Sequence, residues 1–138
     1  MLSKTYYDNY SWVSGSGSGL SATLVTTNIN STNFITTYNA SPTFAQQITA
    51  TTLTRDLVTG TKVKVLGTAT YLYTVNHYDD RLRLIQARST NISASKDITT
   101  TQYSFDGKPL RTHIQHQKAR TLTQNYTALT KMGYDHIT

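Results

Sequence analysis

The chain has 138 residues, one domain's worth, with a formal net charge of +6 and neither cysteine nor glutamate. That composition excludes disulfides, thiolate metal sites and cysteine nucleophiles. Threonine supplies about a fifth of the residues and tyrosine ten of them, so side chains that suit a pleated surface outnumber straight-chain helix formers, and an all-β fold is expected.

In chain order, residues 4–13, KTYYDNYSWV, read as an aromatic strand, and SGSGSG at 14–19 reads as a flexible loop too polar to pack. LSATLVTT and NFITTY follow as short β segments, with a turn around Pro42. In TRDLVTGTKVKVLGT, Thr59-Gly60 separates two runs of alternating small apolar and polar residues, the pattern of a hairpin. From Thr70 the alternation sharpens. Tyr71, Tyr73 and Val75 fall on one face of a strand, and after a turn at Asp79-Asp80, Leu82 and Leu84 face one way and Arg81 and Arg83 the other. A second hairpin turns at Asp106-Gly107, with Tyr103 and Phe105 before it and Leu110 and Ile114 after it. LTQNYTALTKMG has apolar residues at helical spacing, but its threonines favour a strand. The organisation expected is an N-terminal β region over 1–66 and a run of hairpin repeats over 67–138, as successive antiparallel hairpins in a curved, open sheet. The closing KMGYDHIT reads as the start of another unit, so a piece of a longer chain is expected.

Three segments overlay. Tyr78-Asp79-Asp80-Arg81-Leu82-Arg83-Leu84, Tyr103-Ser104-Phe105-Asp106-Gly107-Lys108-Pro109-Leu110 and Tyr134-Asp135-His136-Ile137 share the order Tyr, Asp, two variable positions, Gly, basic, apolar. Their spacing, 25 residues from 78 to 103 and 31 from 103 to 134, suits a strand-turn-strand repeat. Tyr7-Asp8 reads as a degenerate fourth copy. In such a unit Asp bonds backbone N–H groups two residues on, Gly supplies the positive φ of a tight turn, and Tyr and the apolar residue anchor the strands to the buried face.

These residues resemble the Rhs family of YD-repeat proteins, whose units follow Tyr-Asp-x-x-Gly-Arg-Leu. The resemblance extends over TYYDNYSWV, LVTGTKVKVLGT, YLYTVNHYDDRLRLIQ and TTQYSFDGKPLRT, most of the chain. The sequence departs from the pattern where Leu82 stands for Gly, Ser104 for Asp and Lys108 for Arg. A branched side chain in the left-handed region costs on the order of 1 kcal/mol. The resemblance implies hairpins added side by side into a shell that carries or encloses a C-terminal effector such as a toxin, in a secreted or cell-surface protein. It also implies that the partners are the remaining repeats or neighbouring copies, and that this segment does no chemistry.

Other constellations are weaker. His113 and His116 lie three apart, which on a strand points them to opposite faces, so exposed histidines and no metal are expected. Adjacent Asp79-Asp80 cannot flank a glycosidic bond, no nucleophile elbow or phosphate loop occurs, and no cofactor is expected. The thirteen basic residues are scattered among seven aspartates, the mark of a generally basic surface, so no nucleic-acid partner is expected. No apolar run approaches a membrane span. The rival reading is a surface β-sandwich for adhesion or carbohydrate binding, in which the tyrosines stack on sugars. Against it, Tyr71, Tyr73, Tyr103 and Phe105 alternate as an inner face would.

Overall fold

A computed structural model describes residues 2–91, 95–118 and 124–133. Seven strands form a single open sheet in strictly sequential order: β1 (Ser3–Tyr7), β2 (Val58–Lys64), β3 (Tyr71–Tyr78), β4 (Leu84–Thr90), β5 (Lys96–Tyr103), β6 (Pro109–Lys118) and β7 (Gln124–Lys131). Every neighbouring pair is antiparallel. The all-β expectation holds, and the ambiguous C-terminal stretch is a strand. Strands from both halves, 1–66 and 67–138, pair in one continuous sheet, joined at the β2–β3 turn.

Between β1 and β2 the chain leaves the sheet. A one-turn helix, α1 (Ser11–Ser14), begins a long irregular strap that crosses one face and returns at Val58. LSATLVTT and NFITTY lie in this strap and form no strand. Thr59-Gly60, read as a turn, lies inside β2, where Gly60 pairs with both Tyr6 and Val75. The reason for the glycine is steric: a Cβ there would lie 2.2 Å from the Trp12 ring and 2.3 Å from the Thr74 carbonyl oxygen. Trp12 stacks on Tyr6 at 4.1 Å and donates Nε1–H to Thr59 Oγ1 at 3.1 Å. The KTYYDNYSWV run is therefore a strand only to Tyr7, and its remaining aromatics fold back over the sheet.

The covered face is unusually polar. Register places His77, Gln86, Thr100 and His113 in one row of neighbouring strands, with Val75, Arg88 and Ile98 in the next. The strap supplies most of the apolar cover: Phe34 and Ile48 meet Ile85, with Leu24, Ile29, Ala50 and Tyr103 around them.

Each repeat turn follows a bulge. The register slips between Tyr6 and Tyr7, between His77 and Tyr78, and between Gln102 and Tyr103. The extra residue on the returning strand turns inward at each slip, so Thr59, Ile85 and Leu110 are all buried. Leu84, expected as an anchor, is half exposed because it stands one place before that inward turn; Ile85 fills the role. Leu82 holds φ +64, where Gly107 in the next turn holds +91. It is 57 % exposed, so the strain of its backbone outweighs the packing that glycine would lose. Leu82→Gly should therefore raise stability by about 0.5–1 kcal/mol, read from urea midpoints; unchanged or lower stability would contradict the strain.

Candidate functional site

The repeat turns are the best-defined constellation. In the first, Asp79 is buried, and its Oδ1 accepts from the backbone N–H groups of Arg81 and Arg83, both at 2.9 Å. Its Oδ2 accepts from Arg83 Nε at 2.7 Å. Asp79 N–H donates to the Arg83 carbonyl at 3.0 Å, closing the turn. The second turn repeats this with a smaller residue: Ser104 N–H donates to the Lys108 carbonyl at 2.8 Å, and Ser104 Oγ accepts from Lys108 N–H at 3.1 Å. A hydroxyl thus replaces the carboxylate as acceptor for the returning strand. Ser104 also donates its hydroxyl to Asp106, which holds that carboxyl below its ordinary range, and Lys108 reaches the same carboxylate at 3.5 Å. The turn departs from the Asp pattern without losing its closing bonds.

Tyr7-Asp8 occupies the same place. Asp8 N–H donates to the Leu57 carbonyl at 3.1 Å, Asp8 Oδ1 accepts from Asp56 N–H at 2.7 Å, and Asp56 holds φ +65, as Leu82 does. Tyr7 pairs with Val58 as Tyr78 pairs with Leu84 and Tyr103 with Pro109. The strap is thus an insertion of residues 9–55 into the Tyr7-Asp8 turn. Tyr134 and Asp135 lie outside the described residues.

Adjacent units are joined by side chains made for the neighbour. The Tyr78 hydroxyl donates to the Val58 carbonyl and the Tyr103 hydroxyl to the Leu84 carbonyl, both at 2.7 Å. Burial raises the pKa of both tyrosines. Arg83 crosses from the first turn to the second, lying 4.8 Å over the Tyr103 ring and donating Nη1–H to the Ser104 carbonyl at 2.9 Å. Arg81 does the same to Phe105, at 4.1 Å from the ring and 2.8 Å from its carbonyl. Phe105 is accordingly an exposed turn residue rather than part of an inner aromatic face.

The polar inner face reads the strap's backbone. Gln86 accepts from Val25 N–H at 2.9 Å and donates to its carbonyl at 2.8 Å. Gln102 does the same for Ile35, at 2.9 and 2.8 Å, and donates to the Gln46 carbonyl at 3.0 Å. Each amide substitutes for a neighbouring strand, satisfying peptide groups that irregular backbone would otherwise bury unpaired. The carbonyls of Tyr78 and Tyr103, at the bulges, accept from Thr51 N–H at 2.8 Å and Gln46 N–H at 2.9 Å. The SGSGSG loop is also anchored, because Lys96 Nζ donates to the Gly19 carbonyl at 2.7 Å.

His77 meets the Ala22 carbonyl through Nε2 at 3.1 Å, receives Arg88 at Nδ1 at 3.1 Å and stacks on Tyr10 at 4.5 Å. Burial, then the Arg88 charge, push its pKa down to about 4 against a partial offset from the Ala22 carbonyl. A group whose folded pKa is depressed in this way favours folding fully above about 6.5, and that contribution falls away as pH drops from 6.5 towards 4. Acidification through that window should cost on the order of 2 kcal/mol from His77. An NMR titration should show the His77 ring unprotonated at pH 5.5; a midpoint near 6.5 would contradict it.

Of the two histidines expected to be exposed, His113 is buried beside Phe34, with burial lowering its pKa, and only His116 lies on the open face, bonded to Asp97. They do point to opposite faces, as strand spacing requires. Among the described residues, no group of three metal-ligating side chains occurs and no helix is long and apolar enough to cross a membrane.

No protein-family model, curated protein or solved structure matches the chain. The turn motif was legible as sequence. The inner-face reading of the strap was not, because Gln86 and Gln102 sit in runs that look like ordinary strand alternation.

Proposed function

We propose that the chain is a non-catalytic structural segment of a Rhs-type YD-repeat protein, contributing hairpins to a larger shell that carries or encloses a C-terminal effector of a secreted or cell-surface protein. The observation that carries this reading is the recurrence of one unit. Three turns share a bulge, a closing bond and a positive-φ residue, and two tyrosines donate to the same position of the preceding unit. A sheet built that way extends by repetition, and its edges at β1 and β7 are of the kind that pair with further strands. Its partners are then further repeats or neighbouring copies. The rival adhesion or carbohydrate reading rests on half-buried Tyr71 and Tyr73, with Lys62 4.3 Å over the Tyr71 ring, but its sandwich architecture is at odds with a single open sheet.

Size-exclusion chromatography with light scattering, followed by a urea melt, tests the proposal. Association through the edges with weak cooperativity is expected; a monodisperse monomer unfolding in one sharp transition would count against it and direct attention to glycan binding.

A further inference from the structure

The last strand of the sheet has the features of a pairing edge. No described strand lies beyond β7. It pairs with β6 along its whole length without a register slip, whereas β1 has five residues and a bulge. Natural sheets protect free edges by shortness, charge, proline or bulges. QNYTALTK carries one charge, at Lys131, and neither proline nor glycine.

Strand geometry decides what pairs there. Met132 N–H donates to the Leu110 carbonyl at 3.0 Å, so Met132 and every second residue before it turn their peptide groups to β6, while Asn125, Thr127, Leu129 and Lys131 turn theirs outward. Leu129 stands opposite buried His113, on the strap side; Tyr126, Ala128 and Thr130 fall on the open face and are exposed. Seven strands in sequential antiparallel order leave β1 and β7 running in the same direction. A second copy with its strap on the same side can therefore meet β7 in two ways. Its β1 would lie parallel, and only its own β7, brought up by a two-fold axis normal to the sheet, would lie antiparallel.

We propose that β7 is a homodimer edge, pairing antiparallel with β7 of a second copy about a two-fold axis at Ala128, so that the two sheets join into one. This register sets Thr127 of one copy against Leu129 of the other and Asn125 against Lys131, and all four outward residues exchange backbone bonds. It also holds the two Lys131 charges at opposite ends of the junction. A shift of the axis either way leaves outward groups of the strand unpaired, and a shift towards Lys131 also brings the charges together. On the open face Ala128 meets Ala128, small enough for the close approach of a non-hydrogen-bonded pair, about 4.5 Å between Cα atoms. Tyr126 meets Thr130, an aromatic beside a β-branched residue. The junction rests on reading the sheet edges as pairing surfaces, and it names the neighbouring copy and its register.

Single-cysteine variants of the full chain test this, because the wild type has no cysteine to compete. Under mild oxidation Ala128→Cys, its two thiols facing across the axis, should form a covalent dimer about tenfold faster than Thr130→Cys, an exposed site on the same face whose two copies stand too far apart to bridge. Ala128→Lys, which opposes two charges at the axis, should turn the dimer seen by light scattering into monomer. Equal cross-linking of the two cysteine variants, or association undiminished in Ala128→Lys, overturns the junction and leaves the repeat reading in place. A wild type that stays monomeric at all concentrations overturns the junction and also counts against that reading. Should the variants fail to fold, hydrogen exchange of the wild type decides: protected Thr127 and Leu129 amides support the junction, and amides that exchange as freely as those of an open strand overturn it.

Discussion

Gly60→Ala is expected to destabilise the protein by about 3 kcal/mol or more, far above the usual cost of adding one methyl group. The new Cβ would meet two obstacles of different kinds. The Trp12 ring, 2.2 Å away, can swing aside only by giving up its stack on Tyr6 and its bond to Thr59. The Thr74 carbonyl, 2.3 Å away, is backbone of the neighbouring strand, so β2 and β3 must part to admit the methyl group. Trp12 is the chain's one tryptophan, so its fluorescence reports both events. Urea melts of the variant should show a lower midpoint and a native emission shifted to the red. A variant within about 0.5 kcal/mol of wild type, with unchanged emission, would mean that the Trp12 position is not fixed by the glycine.

Gln102→Ala should release the strap while leaving much of the sheet in place. The substitution strips partners from three backbone groups at once, the N–H and carbonyl of Ile35 and the carbonyl of Gln46. Each buried group left unsatisfied costs about 1–3 kcal/mol. Because the strap can lift towards water, we expect a net loss of about 3 kcal/mol rather than the full sum. Limited proteolysis should then cut within residues 20–50 before it cuts the hairpins. Gln47, the exposed neighbour of Gln46, provides the control, and Gln47→Ala should behave as wild type. Equal protease sensitivity of all three proteins would show that the amide bonds do not hold the strap.

The hairpins from β3 to β6 were legible because their signals are local: period-two alternation around an Asp-Asp or Asp-Gly turn. The bulges were not, since counting alternate residues assumes an unbroken ladder, and one extra residue transfers the buried role from Leu84 to Ile85. Thr59-Gly60 misled for a related reason. A glycine between β-like runs reads as a turn, whereas here it makes room for a tryptophan that arrives from the strap. The strap segments have strand composition, yet their backbone partners are glutamine side chains many residues away, a pairing with no periodic trace. The burial of His113 leaves no trace in the sequence, because a lone strand histidine gives no sign that Phe34 will cover it.

The Tyr7-Asp8 turn closes with the same Asp N–H bond as the Tyr78-Asp79 turn although residues 9–55 intervene. Holding the two stems in place separates the length of the excursion from the geometry of the sheet, and the entropy of closing a longer loop grows only as the logarithm of its length. Such a turn is a port: foreign sequence can enter there without re-threading the strands. By the same geometry the tips at Asp80-Arg81 and Phe105-Asp106, which are exposed and stand clear of the ladder, are places where this architecture can acquire new segments while its hairpins stay in register.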